Sequence, residues 1–240
     1  MKLTSFFTIA SFLFLLKLVS CGSDSTREQE QPTPSSDSVD HLSEQQLSRP
    51  TVSTGWSISS TGEGGAVPGD IDEEELIGRY GKENVLRGEM PLGEGEMMEA
   101  TILFPNDPMR RLEIAWYDPT EEIGPQRIAL RGEESRWSVT PGLRLGMSLD
   151  SLVALNGRTI SFLGFDWDYG GTVISWNGGE VWNIDLPNGG IIVRLRPDTD
   201  DYEKLSEEER MQISGDHELR SDDPLFKRLR LRIFEILVDL

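Results

Sequence analysis

The chain has a single cysteine, Cys21, among 240 residues. No disulfide can close within it, nor a zinc site built on several thiolates, so any fold it adopts is held without cysteine cross-links. Its two histidines, His41 and His217, leave little room for a histidine-ligated metal or a serine–histidine–aspartate triad. The position of the cysteine matters as much as its solitude. It closes a segment that holds Lys2 and Lys17 and no acidic residue, with a mostly apolar run from Leu3 to Leu16 between the two lysines. That run is too short to cross a bilayer, which takes about 20 apolar residues, and suits the core of a signal peptide.

The tetrad Leu18-Val19-Ser20-Cys21 resembles the lipobox of bacterial lipoproteins. The resemblance implies cleavage before Cys21, diacylation of its thiol and acylation of the new amino group. Residues 1–20 are then a signal peptide and Cys21 a membrane anchor. Several acyl chains, at about 0.8 kcal/mol per buried methylene, hold a protein stably on a bilayer. Gly22 is not the aspartate that retains enteric lipoproteins in the inner membrane. The expected address is therefore the cell envelope, with the outer membrane favoured and the face left open. The net charge is -19, and losing residues 1–20, with two lysines and no acid, takes it to -21. Acidic headgroups do not attract such a chain, so the anchor has to be covalent, and no nucleic-acid partner is expected.

Residues 21–68 are rich in Ser, Thr, Gln, Glu, Gly and Pro, with Trp56 the main large apolar exception. That composition cannot offset chain entropy and reads as a disordered tether, about 35–40 Å long as a coil. From residue 69 the pattern changes. Asp70, Asp72 and Glu73-Glu74-Glu75 before Leu76-Ile77-Gly78-Arg79-Tyr80-Gly81 are helix start and stop signals. Strand-like runs follow at Asn84 to Arg87, Glu99 to Phe104, Leu112 to Tyr117 and Arg127 to Leu130. A second helix is expected over Met147 to Asn156, with Ser148 as cap and Gly157 as stop. Strands are expected after it at Thr159 to Asp168, Thr172 to Trp176, Glu180 to Leu186 and Ile191 to Arg196. The last two flank the Asn188-Gly189 hairpin signal. Residues 198–210 read as a solvated acidic excursion, and Arg230 to Leu240 as a buried closing strand. The expected class is α+β, with short helices each followed by an antiparallel meander. Two glycine-stopped helices followed by strands also suggest a degenerate duplication, with halves 69–140 and 141–240.

The densest segment for chemistry runs from Phe162 to Trp182. On a strand, Phe165, Trp167 and Tyr169 share one face, while Asp166 and Asp168 share the other. A calcium loop fits its opening but has Gly170 in the fifth place and Asn177 in the twelfth. A hydrolytic carboxylate pair requires two acids that face each other, which neighbours on one strand do not. An aromatic platform for a glycan or peptide, built from Phe165, Trp167, Tyr169 and Trp176 with Asp166 and Asp168, competes with a core hairpin. In the basic cluster Lys227 to Arg232, a strand face in salt bridges competes with an acidic partner.

Arg144-Leu145-Gly146-Met147-Ser148 to Leu155-Asn156-Gly157, followed by Phe165 to Thr172, resembles an uncharacterised family of bacterial hypothetical lipoproteins. That likeness covers about residues 71–240 and carries no assigned activity. The shorter Gly146-Met147-Ser148-x-x-x-Leu152-x-x-Leu155-x-Gly157 resembles the helix opening of the small lipoprotein of the outer-membrane β-barrel assembly machine and of β-lactamase-inhibitor-like repeats. There the helices precede antiparallel sheets and the job is protein binding. The expectation is a non-enzymatic, lipid-anchored envelope protein that takes no metal or cofactor and binds another envelope protein. A glycan- or peptide-binding lipoprotein is the alternative, and a hydrolase using Asp166 or Asp168 the third reading.

Overall fold

The computed structural model describes residues 56–59, 65–183 and 190–240. The segment expected to be a signal peptide, Cys21 and the pair Asn188-Gly189 lie outside the described residues. Strand β1 is Ser57–Ile58 and helix α1 is Glu73–Tyr80, followed by β2 Val85–Gly93, β3 Glu96–Leu103, β4 Leu112–Asp118 and β5 Ile123–Arg131. Short strands β6 Ser138–Val139 and β7 Leu143–Arg144 lead to helix α2, Leu149–Asn156. Then come β8 Ser161–Leu163, β9 Val173–Ser175, β10 Ile191–Arg196, helices α3 Thr199–Glu203 and α4 Glu207–Ile213, β11 Glu218–Arg220 and β12 Arg232–Asp239. The architecture is α+β, with almost entirely antiparallel sheets.

The helix signals act where the sequence puts them. The Asp72 carboxylate accepts from the Glu75 amide at 2.7 Å, and Ser148 Oγ from the Ser151 amide at 3.2 Å. Each satisfies one of the orphan donors of a first turn. Gly157 ends α2 in the left-handed region, at φ 72°.

Six strands form the main sheet in the order β10-β12-β5-β4-β3-β2. The apolar run of β12 lies inside the sheet, next to its edge strand, paired with β10 on one side and β5 on the other. Ile128, Leu130, Ile236 and Val238 are buried in the large core, which also takes Leu152 of α2 and Phe162 of β8. The opposite face buries Ala115, Ala129 and Leu237 beneath Met90 and Ile102. Strands covered on both sides read as continuous apolar runs rather than alternations. The sheet draws on both sides of residue 140, while β8 and β9 join β11 in a separate sheet. Segments 69–140 and 141–240 therefore do not fold as two separate repeats of one meander.

Four further expectations are corrected. Trp56 packs edge-on against Trp137 with ring centroids 5.2 Å apart, and β1 runs parallel to β6. Ile58 and Val67 are fully buried. The fold thus takes in residues assigned to the tether, because scattered apolar side chains in a polar segment find partners about 80 positions away. The expected Glu180 to Leu186 strand begins as a single 3-10 turn, Glu180–Asn183, and residues 184–189 lie outside the described residues. The excursion at 198–210 is two short helices, α4 having a full capping box between Ser206 and Glu209. Within Lys227 to Arg232, the cluster is mostly a 3-10 turn and its exit, with β12 starting only at Arg232.

Candidate functional site

The segment between β8 and β9 is not a continuous strand. Strand pairing stops at Leu163, and residues 166–171 turn back on themselves. Gly170 N–H donates to the Trp167 carbonyl at 2.9 Å and Thr172 Oγ1 to the Tyr169 carbonyl at 2.7 Å. Asp166 adopts φ 67°, a conformation uncommon outside glycine, asparagine and aspartate. Gly171 permits the closest approach. A Cβ there would stand 1.8 Å from the Leu195 carbonyl oxygen, and φ is also positive at 74°. Only a residue without a side chain lets the turn lie against β10.

Because the backbone turns, the two-face arrangement expected for this segment does not form. Phe165 and Trp176 are buried in the large core, so neither joins an open aromatic platform, and Phe165 leaves only an edge accessible. Trp167 is 38% exposed and stands edge-on to Tyr169, with centroids 5.4 Å apart. Its indole N–H is taken by the Gly164 carbonyl at 3.0 Å, which fixes the ring. The side chain of Trp182 lies outside the described residues.

The aspartates diverge. Asp168 accepts from the Glu94 amide at 2.8 Å, at the tip of the β2–β3 hairpin, where Tyr169 lies against Gly93. Asp166 faces the other way and accepts from the hydroxyls of Tyr202 in α3 and Ser214 after α4. Burial, then the Asp166 hydrogen bond, raises the Tyr202 pKa, so the phenol stays protonated and keeps donating. The Arg210 carbonyl, 2.8 Å from Ser214 Oγ, shares that one hydroxyl proton with Asp166. These contacts latch the turn to the helices. Among the described residues, no three His, Cys, Asp or Glu side chains converge as metal ligands.

Beside this latch lies a pocket of about 290 Å³ with Phe165, Trp167, Leu195, Pro197, Tyr202 and Phe234 in its walls. It holds two residues of the aromatic segment that sequence reasoning put forward, Asp166 and Trp167, together with the buried edge of Phe165. It opens beside a larger groove of about 830 Å³, and Arg196, Pro197, Thr199 and Phe234 line both. Sequence reasoning missed Tyr202, Arg196 and Phe234. The capping box at Ser206 was the available sign that residues 198–213 fold, but nothing local places Tyr202 next to Asp166. No family model, curated protein or solved structure matches the chain.

Proposed function

We propose that the chain is a lipid-anchored, non-catalytic protein of the bacterial cell envelope that binds a partner protein through the Trp167–Tyr202 pocket. The observation that carries the binding role is the pocket itself. An exposed indole and apolar walls face solvent, while the rim hydroxyls and carboxylate are hydrogen-bonded to one another. Such a surface favours burial of an apolar side chain and needs no proton transfer. Asp166 receives protons in hydrogen bonds from Tyr202 and Ser214, and a carboxylate is too weak a base to ionise a serine hydroxyl unaided. The separation of Asp166 and Asp168 onto different partners also leaves no opposed pair for hydrolysis. The anchor rests on Leu18-Val19-Ser20-Cys21 behind the apolar run, and on a charge that gives acidic headgroups nothing to attract.

One observation favours glycan binding as a second reading. Trp167 is held rigid from its edge by Tyr169 and from its N–H by Gly164, as a sugar-stacking platform has to be.

The test is a crosslinked pull-down of the full-length protein from native membranes, with metabolic labelling by an alkyne fatty acid. The expected result is label on the parent and none on Cys21→Ser. A stoichiometric envelope protein should be captured by the parent and lost with Trp167→Ala. An unlabelled parent overturns the anchor. A capture pattern indifferent to Trp167→Ala overturns the pocket, and saturable binding of glycan fragments in its place moves the function to the second reading.

A further inference from the structure

The groove next to the pocket contains an arrangement that costs the free protein stability. On the β10–β12 ladder, Arg196 stands directly opposite Arg232. Side chains so paired lie about 4.5–5.5 Å apart at Cβ, where like charges repel. Arg131 and Arg230 also line the groove, with Glu133, Asp198 and Glu235 as its acids. Each acid is already engaged. Glu235 pairs with Arg131 and Arg194, Asp198 with Arg230, and Glu133 with Arg196. Arg232 alone of these four arginines has no carboxylate partner among the described residues, although the chain carries 42 acids. It donates one bond, to the Gly146 carbonyl at 3.0 Å. The Glu133 side chain is 81% exposed, so its hold on Arg196 is weak and displaceable.

We infer that the Arg196–Arg232 pair is an anion site, and that its ligand is the C-terminal carboxylate of a polypeptide whose last side chain fills the adjoining pocket. The carboxylate matches two guanidinium forks, which bind planar anions in bidentate fashion. The pocket supplies the rest of the argument. At about 290 Å³ it is at the small end of ligand sites, sized for one large side chain, and it is apolar. Arg196 belongs to both cavities, with its Cζ 5.6 Å from the Phe234 ring centroid at the junction. A ligand that fits both must carry a carboxylate one short step from an apolar or aromatic group, and a chain terminus does.

This inference rests on the reading of the pocket as a binding surface, and the experiment separates the two. The full-length protein is titrated by calorimetry with acetylated pentapeptides ending in Phe, Trp or Leu, as free acids, as C-terminal amides, and as amides with an internal Glu. The expected result is a free-acid preference of roughly ten-fold or more over either amide, reduced to about one in Arg232→Gln and in Arg196→Gln. Arg232→Lys should restore part of the preference, because the charge returns without the fork. Trp167→Ala should weaken acid and amide alike. Equal binding of acid and amide overturns the carboxylate site and leaves the pocket standing. Equal binding of the free acid and the internal-Glu amide overturns the terminus as ligand. No binding of any peptide overturns both.

Discussion

The face of the main sheet that carries the small second core also carries a row of alternating charges, and Glu235 is its sharpest test. Glu235 sits on β12 between Arg131 on β5 and Arg194 on β10. Arg131 Nε donates to one of its oxygens at 2.5 Å, while Arg194 Nη1 lies 3.1 Å from the other. The second contact is close enough for an ion pair but too poorly aligned for a hydrogen bond, and Oε2 has no other partner. The row continues from Arg131 to Glu113 and on to Arg111. The side chains of Glu113 and Glu235 are both 7% exposed, and that of Arg194 is 14% exposed. Replacing Glu235 with alanine leaves Arg131 its bond to Glu113, but strips Arg194 of its one carboxylate among the described residues. An uncompensated buried charge costs about 3–5 kcal/mol, and with one cation orphaned rather than two the lower end applies, about 3 kcal/mol. For a domain of this size that lowers Tm by about 6–12 °C. The control is Arg79→Ala, which breaks an exposed helical pair with Glu75 and should cost no more than about 0.5 kcal/mol. Urea unfolding followed by circular dichroism gives both numbers, with m unchanged if the denatured state is unaffected. The double variant Arg194→Ala, Glu235→Ala should recover part of the loss, since it removes the orphan. If Glu235→Ala costs less than about 1 kcal/mol, or the double variant simply adds, the row is a solvated surface and the reasoning fails.

Asn156→Ala should cost about 2–4 kcal/mol by urea unfolding, with a cost under 1 refuting the role given to the side chain. Asn156 is fully buried, donates to the Trp176 and Arg158 carbonyls at 2.9 and 3.0 Å and accepts from the Val181 amide at 3.3 Å, so its loss orphans three backbone groups. Trp167 and Trp176, both within the aromatic segment, should behave oppositely. Trp176→Ala opens the core and should cost about 3–5 kcal/mol, whereas Trp167→Ala should cost about 1 kcal/mol and weaken ligand binding instead. Equal stability losses would show that Trp167 is not on a free surface. Acid should destabilise the fold in a defined window. Hydrogen bonds from Arg230 hold Asp201 at about 2, Arg110 and Arg220 lower Asp107 and Asp222, and the Ser206 amide with Arg228 lowers Glu209. Unfolded carboxylates titrate near about 3.9–4.3, so this stabilisation is present above that range and lost as pH falls through the folded values. The urea midpoint should therefore drop between about pH 4 and 2, modestly because these ion pairs lie at the surface with partners reached by solvent, and less steeply in Arg230→Gln. An Arg230→Gln profile parallel to the parent's would refute the assignment to Asp201.

Local chemistry was legible in the chain wherever a residue's role is settled by its immediate neighbours. Asp72 and Ser148 cap helices because a side-chain oxygen can reach an amide three residues on, and Gly157 stops one because it tolerates a left-handed turn. The run from Ile233 to Val238 had to be buried on both faces, and it is an interior strand of the sheet, paired on both sides. β2 and β3 proved longer than their patterns suggest, because Gly88, Pro91 and several glutamates interrupt the apolar signal while partner strands still complete the ladder.

The candidate site was only half legible, and the missing half is non-local. The sequence put Trp167 and Asp166 in a segment dense in aromatic and acidic residues, but period-two alternation assumed a straight strand. Gly171 and the positive φ of Asp166 break that strand, and it is the bend that buries Phe165 and exposes Trp167. Trp56 meets Trp137, Tyr202 meets Asp166 and Arg196 meets Arg232 across separations of 81, 36 and 36 residues. By itself the sequence determined the lone cysteine behind an apolar run, the acidity, the helix ends and the buried closing strand. Only the tertiary structure decided which aromatic ring faces solvent and which of the four groove arginines goes without a carboxylate among the described residues, because both depend on what a register of pairing brings opposite each side chain.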